Sequence, residues 1–277
     1  MELDEIRYEK REGVAAIVLN RPEKLNAISA RQGGTRDQIL WALDDAERDR
    51  DVGCVLLHGA GPGFSAGGDL SGNERRETAF EHRTFLEQAE SFHRCVREAR
   101  LPVIAAVHGV CLGAAVSLVA SCDLVVAGES ARFGLPEGRL GLAGAVPLVP
   151  IVGRQWAKFL VFSGESISAT QARDLGLVLT VEPDDELLER ASELAARLAR
   201  LPREALLLNK RTLDAVADAA GDAAGRIAGE VADAVTLANS SRATAPDGRA
   251  FREIIDSEGL EGLKAARAAQ YDAPWLR

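Results

Sequence analysis

Basic charge is scarce in this chain: 33 Lys and Arg stand against 42 Asp and Glu, a net charge of −9 over 277 residues. That balance argues against a general nucleic-acid surface, which would be basic. Long apolar runs are also missing, and nothing approaches the roughly 20 residues of a membrane span. Met1–Arg11 carries acids and no apolar core, unlike a secretory leader. No C-x-x-C or H-x-x-x-H spacing occurs, so no metal site is expected. The four cysteines (Cys54, Cys95, Cys111, Cys122) are scattered and read as reduced thiols of a cytoplasmic protein. No histidine follows His108, which removes the late histidine that a serine-hydrolase triad normally needs.

What the chain does have is a glycine-rich turn. Gly59-Ala-Gly-Pro-Gly-Phe-Ser-Ala-Gly-Gly-Asp-Leu70 follows a strand-like run, Cys54–Leu57. Five glycines let the backbone approach a ligand closely and aim bare N–H groups at it. A second small-residue turn, His108–Ala115, follows the apolar run Val103–Val107. Two such turns can each offer one donor to a single carbonyl oxygen. The G-x-S-x-G match at Gly63–Gly67 lacks the helix that should follow its serine. The dinucleotide fingerprint fails at Phe64, where a glycine is required.

Along the chain, strands at Val14–Leu19, 52–58, 103–107 and Leu124–Ala127 alternate with helices. These helices are expected at Asp37–Asp49, at about Glu74–Arg100 and at about 112–121. The alternation predicts an α/β fold. After about residue 153 the pattern is almost wholly helical, with one apolar run at Leu177–Val181. Gly221, Gly225 and Gly229 recur on one helical face and suggest close helix packing.

These segments together resemble the crotonase superfamily, the enoyl-CoA hydratase/isomerase family. The likeness runs through Leu19–Ala27, Phe64–Leu70, Pro102–Asp123, Phe133–Glu137, Ser163–Glu165 with Gln171-Ala172, and Ser257–Gly262. It implies a spiral of repeated ββα units over residues 1–200 and a C-terminal helical oligomerisation region over 201–277. Trimers or paired trimers are the usual assembly. It also implies an acyl-CoA thioester as substrate, with coenzyme A part of that substrate and no separate cofactor. By position, the backbone N–H groups of Ala66 and Ala114 would hold the thioester oxygen, and Glu137 would move the proton. Arg21 and Lys24 would meet the CoA phosphates. Leu25, Ala27, Gly67, Gly68, Asp69 and Leu70 would line the path of the cofactor arm, with Gly113 and Pro136 at the reacting end. Asp69 also suits a loop-stabilising role beside glycines.

Two departures from the family pattern bear on the reaction. Hydratases of the family pair two glutamates; Glu137 matches the second, but Ser117 stands at the first. A hydroxyl at its ordinary pKa is no base near neutrality. The 142–151 segment is shorter and more apolar than in relatives, leaving little to hold a water. Both features favour a single-glutamate enoyl-CoA isomerase. The alternatives are a one-glutamate hydratase assisted by its substrate, a thioester or C–C hydrolase on the same scaffold, and a CoA-binding protein without catalysis.

Overall fold

The computed structural model describes residues 2–71, 78–140, 148–221, 242–269 and 274–276, with short pieces at 224–225, 228–229, 231–232 and 235–236. Among them, the main sheet takes β1 (Ile6–Arg11), β2 (Val14–Leu19), β3 (Cys54–Gly59), β4 (Val103–Val107), β6 (Leu124–Gly128) and β9 (Thr180–Glu182), in that order. A second sheet joins β5 (Val110–Leu112), β7 (Arg132–Gly134) and β8 (Ser166–Ser168). The helices are α1 (Thr35–Arg48), α2 (Ala79–Arg97), α3 (Ala114–Ala120), α4 (Val149–Ser163), α5 (Ala169–Asp174), α6 (Leu187–Ala199), α7 (Arg203–Ala219) and α8 (Phe251–Ala268).

Apart from the β1–β2 hairpin, the main sheet is parallel, and both its faces are covered. That is why β3 and β4 read as unbroken apolar runs. Val55 and Leu57 face the larger core with α1, while Cys54 and Leu56 face the opposite layer with Leu187, Ala191 and Ala195 of α6. α7 is docked by Arg203, which donates to the carbonyls of Glu47, Asp49 and Val52, and by the Lys210–Asp123 ion pair at 2.8 Å.

Several sequence expectations shift. The third helix begins at Ala114 rather than 112, because Val110–Leu112 pairs with β7. The C-terminal half contains β8 and β9, both only three residues long and therefore without a readable period. β1 went unpredicted because it is a charged edge strand: only Ile6 is buried, and Lys10 pairs with Asp45 and Asp49. The polar helix is described from Ala79; its expected start at Glu74 lies outside the described residues. The same holds for 142–147 of the shortened segment. A Cβ added at Gly221 or Gly225 would meet nothing within 4 Å among the described residues.

Candidate active site

Two pairs of backbone hydrogen bonds fix the glycine-rich loop after β3. On one side Ser65 N donates to Val110 O (2.9 Å) and Leu112 N to Ser65 O (3.0 Å). On the other, Ile28 N donates to Gly67 O (2.7 Å) and Asp69 N to Ile28 O (2.9 Å). Asn26 sits underneath, buried, with its Nδ2 donating to Ala60 O and Gly63 O and its Oδ1 accepting from Arg21 N. The loop thus runs pressed between the 26–28 segment and β5. Gly67 has a φ of +96°, and a Cβ there would lie 2.5 Å from Leu112 O and 3.3 Å from Ala114 N. Only glycine fits. The two small-residue turns converge as their sequences suggested.

The donor pair differs from the expectation in one member. The Ala66 N–H is already committed to Leu25 O at 2.8 Å, and Gly67 N is bonded to Ser65 Oγ at 3.1 Å. Ala66 is therefore not an oxyanion donor. The neighbouring Gly68 N–H has no acceptor among the described residues, because the bridge to Ile28 uses Gly67 and Asp69. Ala114 opens α3, and a first-turn N–H has no acceptor within its own helix. The positive φ at this turn falls on Gly113 (+56°), leaving Ala114 an ordinary helical backbone. Gly68 and Ala114 are N–H groups of these two turns left without an acceptor among the described residues.

Glu137 reaches the same place through strand register. β5 runs parallel to β7 with Leu112 opposite Gly134, and Gly113 N donates to Gly134 O at 2.9 Å. Three residues on, a 3-10 turn starting at Pro136 (Pro136–Leu140) lays the Glu137 side chain against Gly113. A Cβ on Gly113 would fall 2.1 Å from Glu137 Oε1. Glu137 Oε2 is buried with no hydrogen-bond partner among the described residues. Burial raises the carboxyl pKa, opposed by the Arg267 charge on α8. A solvated loop acid would show none of this.

Ser117 lies one turn beyond Ala114 on α3 and lines a cavity of about 530 Å³. His93 of α2 lines the same cavity, where burial and the nearby Arg36 charge lower its pKa to about 3. Sequence reasoning passed over His93 because nothing in its spacing within a charge-rich helix marks it. The sequence places Gly68 only on the expected cofactor path; that its N–H is uncommitted among the described residues emerges from which neighbouring N–H groups are already used.

At the other end of the loop, Arg21 is not available to a phosphate. Its side chain is only 12% exposed, donating to Ala27 O (2.6 Å) and Asp69 Oδ2 (2.7 Å). Lys24 is free to move: its side chain is 46% exposed, with Ser71 Oγ at 3.2 Å and Asp69 at 3.6 Å. Asp69 holds the loop. Burial pushes its pKa up, but hydrogen bonds from Ser71 and the Arg21 guanidinium overcome this and bring it down to about 2. Leu25 and Leu70 are exposed at the rim. Ser65 is fully buried and donates to Asn26 O, so it is no nucleophile.

Comparison with known proteins agrees with this geometry. Residues 9–245 match the family model described as enoyl-CoA hydratase/isomerase. The chain is 35% identical over 219 residues to the short-chain-enoyl-CoA hydratase of Clostridium acetobutylicum, covering 77% of this chain and 82% of that one. It is 36% identical over 210 residues to the 1,2-epoxyphenylacetyl-CoA isomerase of Escherichia coli, covering 73% and 79%. The crystal structure of an enoyl-CoA hydratase/isomerase from Xanthobacter autotrophicus Py2 superposes with a TM-score of 0.90 at 32% identity, covering 98% of this chain and all of the other.

Proposed function

The chain belongs to the enoyl-CoA hydratase/isomerase family, and from that premise we propose that it is an enoyl-CoA isomerase working through a thioester enolate with one carboxylate. The observation that carries this reading is Glu137: half-buried, with its Oε2 buried and without a hydrogen-bond partner among the described residues, and set against Gly113, with a hydroxyl at Ser117 where a second acid would stand. The thioester oxygen would accept hydrogen bonds from the Gly68 and Ala114 N–H groups. Charge develops on that oxygen as the α-proton leaves, and each preorganised donor stabilises it by about 3 kcal/mol. The Glu137 carboxylate takes the proton, and the C–H electron pair enters the enolate. The neutral acid then returns a proton to the far carbon of the allylic system, so the double bond moves and nothing is gained or lost. Burial suits this cycle, because it brings the carboxyl pKa nearer neutrality.

Lys24 supports CoA binding as an exposed cation beside the loop. Leu208, Leu213 and Val216 of α7 are each more than 60% exposed, which supports a homo-oligomer built on three-fold symmetry with the helical region 201–277 in its contacts. A second reading, a hydratase, draws on the names of relatives such as the clostridial enzyme. The test is incubation with trans-2-enoyl-CoA and with cis- and trans-3-enoyl-CoA, followed by mass spectrometry. Isomeric products of unchanged mass are expected. Products heavier by one water would give the hydratase reading instead.

A further inference from the structure

A thioester oxygen can use the Gly68 N–H only if the backbone around it is held still, and nothing at Gly68 itself does this. A Cβ built on Gly68 would meet no atom within 4 Å among the described residues, so no packing grips it. Its support is the one-residue bridge to Ile28, made through the Gly67 carbonyl and the Asp69 N–H. The Arg21 side chain spans the same two segments. Its Nη1 donates to Ala27 O at 2.6 Å, one residue before Ile28, and its Nη2 donates to Asp69 Oδ2 at 2.7 Å, one residue past Gly68. A guanidinium holds its N–H groups in one rigid plane, so both segments are tied to a single fixed group. Arg21 is itself anchored. Its backbone N donates to Asn26 Oδ1 at 2.9 Å, and its carbonyl accepts from Asn26 N at 2.8 Å. The Glu5 carboxylate lies 3.7 Å from its Nε and accepts in turn from Ser29 Oγ and from Thr35 N at the start of α1. The path of support thus runs from α1 through Glu5 and Arg21 to the residues on either side of the Gly68 N–H.

We propose that Arg21 is a positioning residue: by bridging Ala27 O and Asp69 it keeps the Gly68 N–H aimed at the thioester oxygen, and so sets the rate of enolate formation rather than the affinity for coenzyme A. The inference rests on the acyl-CoA reading above. A donor of this kind works because it is already in place when charge develops on the oxygen. Misplacing it by about 1 Å costs on the order of 10²-fold in rate. Without the guanidinium, the 27–28 and 67–69 segments keep only their backbone bridge and can shift against each other. Free coenzyme A has no thioester oxygen, so its binding does not depend on where the Gly68 N–H points. A phosphate contact by Arg21 would do the opposite, weakening coenzyme A binding and sparing the rate.

The test compares full-length Arg21→Gln and Arg21→Lys with the wild type, at a temperature where circular dichroism melts show each to be folded. Deuterium exchange into the α-carbon of butyryl-CoA in heavy water gives kcat and KM, and isothermal titration gives the Kd of free coenzyme A. Arg21→Gln is expected to lower kcat for exchange by about 10- to 100-fold, with KM and the coenzyme A Kd within about threefold of the wild type. Arg21→Lys keeps the charge but loses the fork, so its kcat should fall between the two. It carries the test if Arg21→Gln does not fold. A chromophoric thioester, 4-(dimethylamino)cinnamoyl-CoA, reports the same geometry without turnover. Its absorption moves to the red when donors polarise its carbonyl, and that shift at saturation should shrink in both variants. Exchange by the wild type with kcat unchanged in the variants, or a coenzyme A affinity that falls in step with kcat, would overturn the inference alone. No exchange by the wild type would overturn the enolate reading and the inference with it.

Discussion

Glu137 carries its chemistry because of where its neighbours are absent. A carboxylate with a buried oxygen that no described residue partners is a stronger base than one in water, and it is ready to hold a proton between two transfers. Replacing it with glutamine keeps the shape and removes the base, so kcat is expected to fall about 10²–10⁴-fold with KM little changed. Steady-state kinetics of the variant check this. The sign of the pH dependence follows from burial. The base must be ionised to act, and burial raises its pKa, so kcat/KM should climb with pH through a midpoint above the usual carboxylate range. A profile already flat across that range would contradict the assignment. Gly113 is the companion test. With φ of +56° and ψ of −123° it lies outside the left-handed helical basin, a strain of roughly 1–3 kcal/mol for alanine, and the added Cβ would displace Glu137 Oε1. Gly113→Ala should therefore keep the fold, with a melting point lower by a few degrees, and lose most activity. Near-normal turnover in that variant would show that the carboxylate need not sit where it does.

The loop that supplies Gly68 is held as an element by Asp69, whose side chain is 10% exposed and bonded to Ser71 and Arg21. Its folded pKa of about 2 lies below the ordinary 3.8. The stabilisation is therefore complete above the unfolded value and is lost as pH falls toward the folded one. The shift corresponds to about 2 kcal/mol. Asp69→Asn is expected to destabilise by that order in urea melts at pH 7, with the gap to wild type closing as pH falls from 4 toward 2. A constant gap across that window would mean the charge is irrelevant to the loop. Elements of this kind differ in how well a sequence reveals them. The glycine loop, β2 and β4 were legible because their apolar runs and glycines have one local meaning. β1 was not, since its charges are explained only by α1 across the hairpin, and β8 and β9 are too short for any period. Glu137 was legible through its motif, but its placement against Gly113 comes from strand register. The choice of Gly68 over Ala66 depended on which N–H the Leu25 carbonyl had already taken, and Arg21 lost its phosphate role to Asp69 in the same way. Those are competitions between neighbours in space, which a linear reading does not contain.

As a whole molecule, the chain places Glu137 and the proposed donors on the core and leaves apolar side chains of the C-terminal helices exposed. Leu213 and Val216 of α7 are 71% and 65% exposed, and Val231 and Val235 further along are 49% and 57%. Ile227 and Leu237, apolar residues of the same stretch of sequence, lie outside the described residues. Light scattering is expected to give three or six times the 29.5 kDa chain mass, and Leu213→Glu with Val216→Glu should lower it. A mass near 29.5 kDa for the unaltered protein would refute the assembly. None of the described helices is long and apolar enough to cross a membrane. The proposed mechanism, whatever the acyl group, requires that Glu137 remove one α-proton to give a stabilised enolate. Butyryl-CoA isolates that step, because it has no double bond to hydrate or move. In heavy water, mass spectrometry should find deuterium entering the α-carbon with the wild-type protein and not with Glu137→Gln. No exchange by the wild type, or equal exchange by both, would contradict the account.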